Sequence, residues 1–395
     1  MKRENFPFLF AATIVVIAFC SLSFKMAGRG ASDDDFLFIY IENRLMGFID
    51  KTGKTVIPAK YNSAANFIEG FAAVLYKDKW GFIDKSGRMV VKPQFDGAGS
   101  FQEGMAMVWN TVVKGDGDEE WDEFYYGYVD KNGRTVSEPQ YRGASDFNEC
   151  LAAVMIGDKW GYIDKNGKIA IQPQYDMAWS FSEGLAPVKV GEKQGFIDKT
   201  GKIVIEPQYD DVGLFKDGLA IVTIGDWHSG KSGYIDKSGK IVIKPKFAEA
   251  TAFEDGMARV NAGFSKFAVN WAYIDKKGNY LIKPQYAFVS PISEGLAAVK
   301  IRQSWGFVDI NDNIVIEPQY EQVGRFSDGL AAVASVVNGK KKYGFIDKTG
   351  KMVIEQKYDH AGEFWGGLAW VSIGNKQGYI DKEGNTVRMW VDDDK

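Results

Sequence analysis

The chain has 395 residues, of which 45% are hydrophobic and 25% charged, and its formal net charge is −4 with a pI near 5.5. This is an ordinary globular composition with enough apolar material for a large core. It lacks the concentrated excess of Lys and Arg that phosphate binding needs, which excludes nucleic acid as a partner class.

At the N-terminus Lys2 and Arg3 precede an uncharged stretch from Phe6 to Phe24, followed by Lys25, Arg29 and the run Asp33, Asp34, Asp35. That order reads as an export signal. As a helix the stretch would span ~28 Å at about 1.5 Å per residue, close to the ~30 Å hydrocarbon core, so a retained segment would serve as a membrane anchor. Cys20 follows Ile17-Ala18-Phe19; the bulky Phe19 stands where lipoprotein cleavage sites carry small residues. Cleavage, lipidation and retention stay open. The expectation is an exported protein, with residues 1–30 as signal or anchor, the body outside the cytoplasm, and membrane contact through this segment only.

From residue 36 to 391 the chain repeats itself. The pattern is clearest in Gly161-Tyr162-Ile163-Asp164-Lys165-Asn166-Gly167-Lys168, continued by Ile169-Ala170-Ile171-Gln172-Pro173-Gln174-Tyr175-Asp176. Apolar residues alternate on both sides of an Asp-Lys-x-Gly turn, which predicts two short strands in a tight hairpin, the second ended by proline. The Asp side chain is expected to cap N–H groups inside the turn. Ten copies of this aspartate occur, at 50, 84, 130, 164, 198, 236, 275, 309, 347 and 381, with spacings of 34, 46, 34, 34, 38, 39, 34, 38 and 34. About twelve residues after the proline, Glu-Gly or Asp-Gly introduces a Leu-Ala-x-Val strand, as at Glu183-Gly184-Leu185-Ala186-Pro187-Val188.

In nine repeats the core Gly (Ala272 in one) and the position before the Leu-Ala strand are 23 residues apart, as from 161 to 184. All length change falls between that strand and the next Gly-aromatic strand. A fixed length implies packing between neighbours, and a drifting one implies a solvent-facing loop. One unit holds too few apolar residues to stand alone, so stability belongs to the array. The fold class expected is all-β: a tandem array of about ten three-stranded antiparallel β-meander repeats. Both terminal units are complete, no strand is shared between the ends, and ten units exceed the usual four to eight blades. Those features favour an open or spiral array, with a closed β-propeller as the alternative.

Candidate chemistry is thin. Aspartates and Glu-Gly acids that recur in every unit answer a need of every unit, so turn capping is favoured over the paired carboxylates of a carbohydrate hydrolase. His228 and His360 lie in unrelated repeats and give no metal or triad arrangement. Cys150 has no intramolecular partner and reads as a small buried residue. The acidic insertion from Lys114 to Glu123 lacks calcium-loop spacing and reads as a solvated hairpin tip. No cofactor and no metal site is expected. Tyr141, Tyr175, Tyr209, Tyr286, Tyr320 and Tyr358 hold repeated positions and should be core. The aromatic residues of the variable turns, Trp121, Trp227 beside His228, Phe264 and Phe267, are the candidate binding residues, suited to a protein or glycan ligand.

The junctions Lys79-Trp80-Gly81, Lys159-Trp160-Gly161 and Ser304-Trp305-Gly306, with the recurring Pro-Gln-Tyr and Phe-x-Glu/Asp-Gly-Leu-Ala, resemble the WG-repeat (KWG) proteins of bacteria. The resemblance covers residues 36 to 391. It implies a β-rich repeat fold, common on exported or surface-associated proteins, with no shared catalytic residues. Departures are Ala272 for the core Gly, Asn313 for the turn Gly, Gln356 for Pro and Gly366 for the acid. The expected function is a non-enzymatic binding or scaffold module contacting a protein or cell-envelope partner; a carbohydrate-active hydrolase and a structural spacer are the alternatives.

Overall fold

The computed structural model describes residues 36–115, 120–226, 229–263 and 269–391. These contain strands and no helix, arranged as ten small antiparallel sheets in chain order. Among them no helix is long and apolar enough to cross a membrane; residues 1–30, read as export signal or anchor, lie outside the described residues.

Sheet 5 shows the plan, with strands Met177–Ala178, Leu185–Val190, Lys193–Asp198 and Ile203–Tyr209 hydrogen-bonded in that order. The unit is therefore four-stranded in most copies, where three strands were expected. The extra strand comes from the connection after the proline. That segment leaves one sheet, pairs Met177 with Lys189 and Ala178 with Val188 in the next, and folds back through a two-residue turn. Glu183 and Gly184 have φ of 53° and 89° there, both central residues left-handed as the twist of a tight hairpin demands.

The proline does not end the ladder either. In sheet 4, Tyr162 pairs with Ile171 and Trp160 with Tyr175, so a bulge lies between the two pairs. Pro173 sits in this bulge, where its missing N–H costs nothing. The bulge folds across Gly161. A Cβ at that glycine would lie 2.6 Å from the Ile171 carbonyl oxygen and 2.8 Å from the Pro173 nitrogen. The Gly of the Trp-Gly pair and the proline twelve residues later are thus two halves of one contact.

Adjacent sheets pack face to face. Leu185, Phe196, Ile205 and Tyr209 of sheet 5 form one core with Phe215, Ala220, Val222 and Ile235 of sheet 6, and the rings of Phe196 and Phe215 lie 4.8 Å apart. Equivalent pairs recur at Phe82 with Phe101, Tyr162 with Phe181, and Phe345 with Phe364. All six repeated tyrosines are buried as expected.

The last sheet also meets the first. Phe38, Tyr40 and Ile49 of sheet 1 form a single core with Leu368 of sheet 10, against which Trp365, Tyr379, Val387 and Trp390 pack. Arg388 donates to the Thr55 hydroxyl at 2.9 Å and lies 4.1 Å over the Tyr40 ring. The ten-unit array is therefore a ring, a ten-bladed propeller, and of the two arrangements weighed from the sequence the closed one forms. The absence of a shared strand favours an open array, but side-chain packing and the Arg388 hydrogen bonds seal the seam without one.

Three local expectations change. The residue in the left-handed turn position of sheet 8 is Asp312, with φ 67°; the register of the Asp309 turn puts Asn313 one place later, where its N–H bonds Asp309. Cys150 is exposed, not buried, because it takes the glycine position of a tight turn, with φ 72°. Gly366 stands where other sheets carry the acid, and a Cβ there would lie 2.9 Å from the Phe36 ring, so its small size belongs to the seam.

Candidate interaction face

The ring has two unlike faces. The turns of fixed length, Glu-Gly or Asp-Gly and Asp-Lys-x-Gly, lie at the same end of the sheets that carry both, because the strand after the first turn runs away from it and the next strand returns toward the second turn. The length-varying tips lie at the other end.

On the fixed face the recurring acids are occupied. Asp164 Oδ1 accepts the N–H groups of Asn166 and Lys168 at 2.8 and 3.0 Å, the capping expected from the sequence. The Glu-Gly acids behave differently: each reaches the next sheet. Glu69 accepts from the N–H groups of Glu103 and Gly104, both at 2.8 Å, and pairs with Lys131 at 2.9 Å. Glu103 does the same with Glu149, Cys150 and Lys165. Glu149 continues to Gly184 and Lys199, and Glu183 to Gly218 and Lys237. These carboxylates clasp neighbour to neighbour around the ring, and their charge-assisted bonds offset the cost of a left-handed Glu.

The titration of these groups follows. Burial pushes the Glu69 and Glu103 carboxyls up, and the hydrogen bonds and lysines named above outweigh it, so both sit below the ordinary value. At Asp84 the Ser86 hydroxyl is the largest influence, and with Arg88 it holds the carboxyl down at about 2. A lowered folded-state value means stabilisation that is complete above the unfolded value, near ~4.3 for Glu, and is lost as pH falls through the folded one. Thermal unfolding followed by circular dichroism is therefore expected to show a midpoint steady above about pH 5 and falling progressively below about pH 4. A midpoint unchanged down to about pH 3 would mean that the clasps contribute nothing.

On the tip face the recurring element is a second, smaller clasp. Lys193 pairs with Asp210 at 2.7 Å, and the same carboxylate accepts the Gly225 N–H at 2.8 Å. Above it the tips differ. Sheet 3 carries the longest hairpin, Met105–Lys114 paired with Trp121–Asp130, and Trp121 is 59% exposed at its end. Val112, Val113 and Phe124 are exposed beside it. Residues 116–119 of the insertion lie outside the described residues, as do Trp227, His228, Phe264 and Phe267; the strands on either side of those four residues end at this face. Of the five sequence candidates, Trp121 alone is among the described residues, and it stands on the solvent surface.

Sequence reasoning passed over several residues. Phe288 is exposed and packs edge-on against Trp305, with ring centroids 5.2 Å apart, while the Lys300 ammonium lies 5.7 Å over Trp305. Trp305 had been read only as a repeat residue. In sheet 9, Leu330–Val337 and Lys340–Asp347 form a second long hairpin with Val336 exposed. The four-residue insertion there was visible, but length alone does not say which side chains it lifts clear. Among the described residues no group of His, Cys, Asp and Glu is arranged to hold a metal ion.

A family model described as WG containing repeat matches nine segments, residues 46–80, 80–108, 126–160, 160–193, 195–226, 233–263, 271–303, 305–340 and 343–376. No curated protein matches the sequence. Solved structures similar to the chain include the tricorn protease, at 14% identity and TM-score 0.26, over 82% of this chain and 38% of that one. Others are Hsv2p of Kluyveromyces lactis, at 10% and 0.33 over 62% and 89%, and TolB of Acinetobacter baumannii, at 13% and 0.25 over 62% and 78%. The chain thus spans little more than a third of the first of these.

Proposed function

Because the chain belongs to the WG-containing repeat family, we propose that it is a non-enzymatic binding or scaffold module whose tip face contacts a protein or cell-envelope partner. The single observation that carries this is the division of labour between the faces. Length is constant wherever the sheets are clasped together, and varies only at tips that lift Trp121, Val113 and Phe124 into solvent. Isolated exposed apolar residues are normal on any surface, but a cluster on one projecting hairpin marks a contact surface. The recurrent carboxylates favour this reading over a hydrolase, since turns and clasps already engage them. Export through the N-terminal segment, with the body outside the cytoplasm, belongs to the same proposal.

The test is to trim the sheet 3 hairpin, replacing Thr111 to Phe124 with the two-residue turn of the shorter repeats, which keeps Asn110 opposite Tyr125. Thermal stability should stay within about 1 kcal/mol, as for surface changes generally, while partners captured from a membrane fraction by the intact chain are lost. Undiminished capture would place binding elsewhere. Protease added to intact cells should digest the body if it is exported.

A further inference from the structure

The two long hairpins resemble each other in build and oppose each other in charge. In sheet 3, Val113 lies across the ladder from Asp122, and Val112 from Glu123. In sheet 9, Val336 lies across from Lys341, and Val337 from Lys340. Cross-strand neighbours share a face of the hairpin, so each side of either arm presents a valine beside a charge, acidic on one arm and basic on the other. Among the described residues Glu123 lies 3.9 Å from the Lys114 ammonium of its own arm and accepts the Tyr125 hydroxyl at 2.9 Å, whereas Asp122 pairs with no cation and neither Lys340 nor Lys341 pairs with a carboxylate; Lys341 bonds the Gln322 side chain at 3.1 Å. Val113 and Val336 are 60% and 57% exposed, so each arm also has apolar area to bury.

The arms cannot meet within one ring. Sheets 3 and 9 are four sheets apart by the shorter way round, and both arms rise from the same face. Two rings set face to face do bring them together. A two-fold axis in the plane between the rings, passing over sheets 1 and 6, lies midway between sheets 3 and 9, and so superposes sheet 3 of each copy on sheet 9 of the other. Both contacts then form at once, as an isologous interface requires.

Resting on the reading of the tip face as a binding surface, we propose that its partner is a second copy of this chain, the acidic arm of each ring docking on the lysine arm of the other. Apolar contact between the valines supplies the burial, and the charges fix which arm meets which.

The experiment is sedimentation equilibrium on the purified full-length chain at low and high salt, with charge-reversed variants of each arm. The chain should dimerise, more weakly at high salt. Asp122→Lys with Glu123→Lys, or Lys340→Glu with Lys341→Glu, should each weaken association at least about tenfold by placing like charges opposite each other. Combining all four should restore it. Restoration separates lost complementarity from misfolding, since a misfolded arm is not rescued by a change on another sheet. A monomeric chain, or a dimer indifferent to both reversals, overturns the inference. If the hairpin-trimmed chain then still loses captured partners, the tip face remains a binding surface for something other than itself; if capture is also unchanged, both readings fall.

Discussion

Gly161→Ala should destabilise the ring by about 3 kcal/mol, toward the upper end of the cost of overpacking. The added methyl would sit 2.6 Å from the Ile171 carbonyl oxygen, and its neighbours there are backbone atoms held by the ladder rather than side chains free to rotate. Gly184→Ala provides the contrast. No atom lies within 4 Å of a Cβ at that position, so the cost there is only that of a left-handed residue, about 1–2 kcal/mol. Urea midpoints, with the slope checked for constancy, would separate the two. Equal losses would mean that the bulge does not press on Gly161. The chain carries alanine at the equivalent position of sheet 7, where Ala272 is fully buried and pairs with Val260. The substituted ring is therefore expected to remain folded.

Phe38→Ala should cost about 3–5 kcal/mol, the usual penalty for emptying a buried aromatic site, and it should act locally. Phe38 is buried against Trp365 and Tyr379, with ring centroids 5.7 and 5.4 Å away. Among the described residues no carboxylate clasp crosses this boundary, where Gly366 replaces the acid. Hydrogen exchange followed by mass spectrometry should show faster exchange in Phe38–Glu42 and Thr386–Val391 together, with sheets 5 and 6 unchanged. Partial openings of this kind are drawn from the least stable boundary of a fold. Uniform acceleration around the ring would mean instead that it opens as one unit and that the seam is no weaker than any other junction.

Much of this architecture was legible because the physics repeats. Ten aspartates at near-constant spacing could only be ten turns, and the invariant interval from 161 to 184 marked the packed part of each unit. What escaped were relations between units. Glu103 and Asp130 look alike in sequence, each an acid beside a turn. One reaches forward to the next sheet at Glu149 and Cys150, and the other caps its own turn through Asn132. Their distinction is spatial. The short first strands escaped for a related reason: Met177–Ala178 and Asp211–Val212 are two residues each, below the length at which alternation is visible. Closure depended on Phe36, Trp365 and Arg388, side chains that occur once and so had no pattern to announce them. At the tips, sequence singled out aromatic residues, of which Trp121 is exposed, while Val112, Val113 and Val336, exposed as well, read as ordinary strand residues because exposure is not a property of residue type.

The pairing of Phe36 with Gly366 bears on how the molecule counts. Among the described residues seven interior junctions share the same acid-to-turn handshake, so little in a middle unit says whether it is the fourth or the seventh. Only the two termini carry a private fit, a bulky ring on one and a vacancy on the other, with the Phe36 and Trp365 rings 4.7 Å apart. A chain that joined its first unit to an interior one would set Phe36 against a glutamate or aspartate instead of Gly366, so the fit at the ends favours closing the circle at the tenth unit.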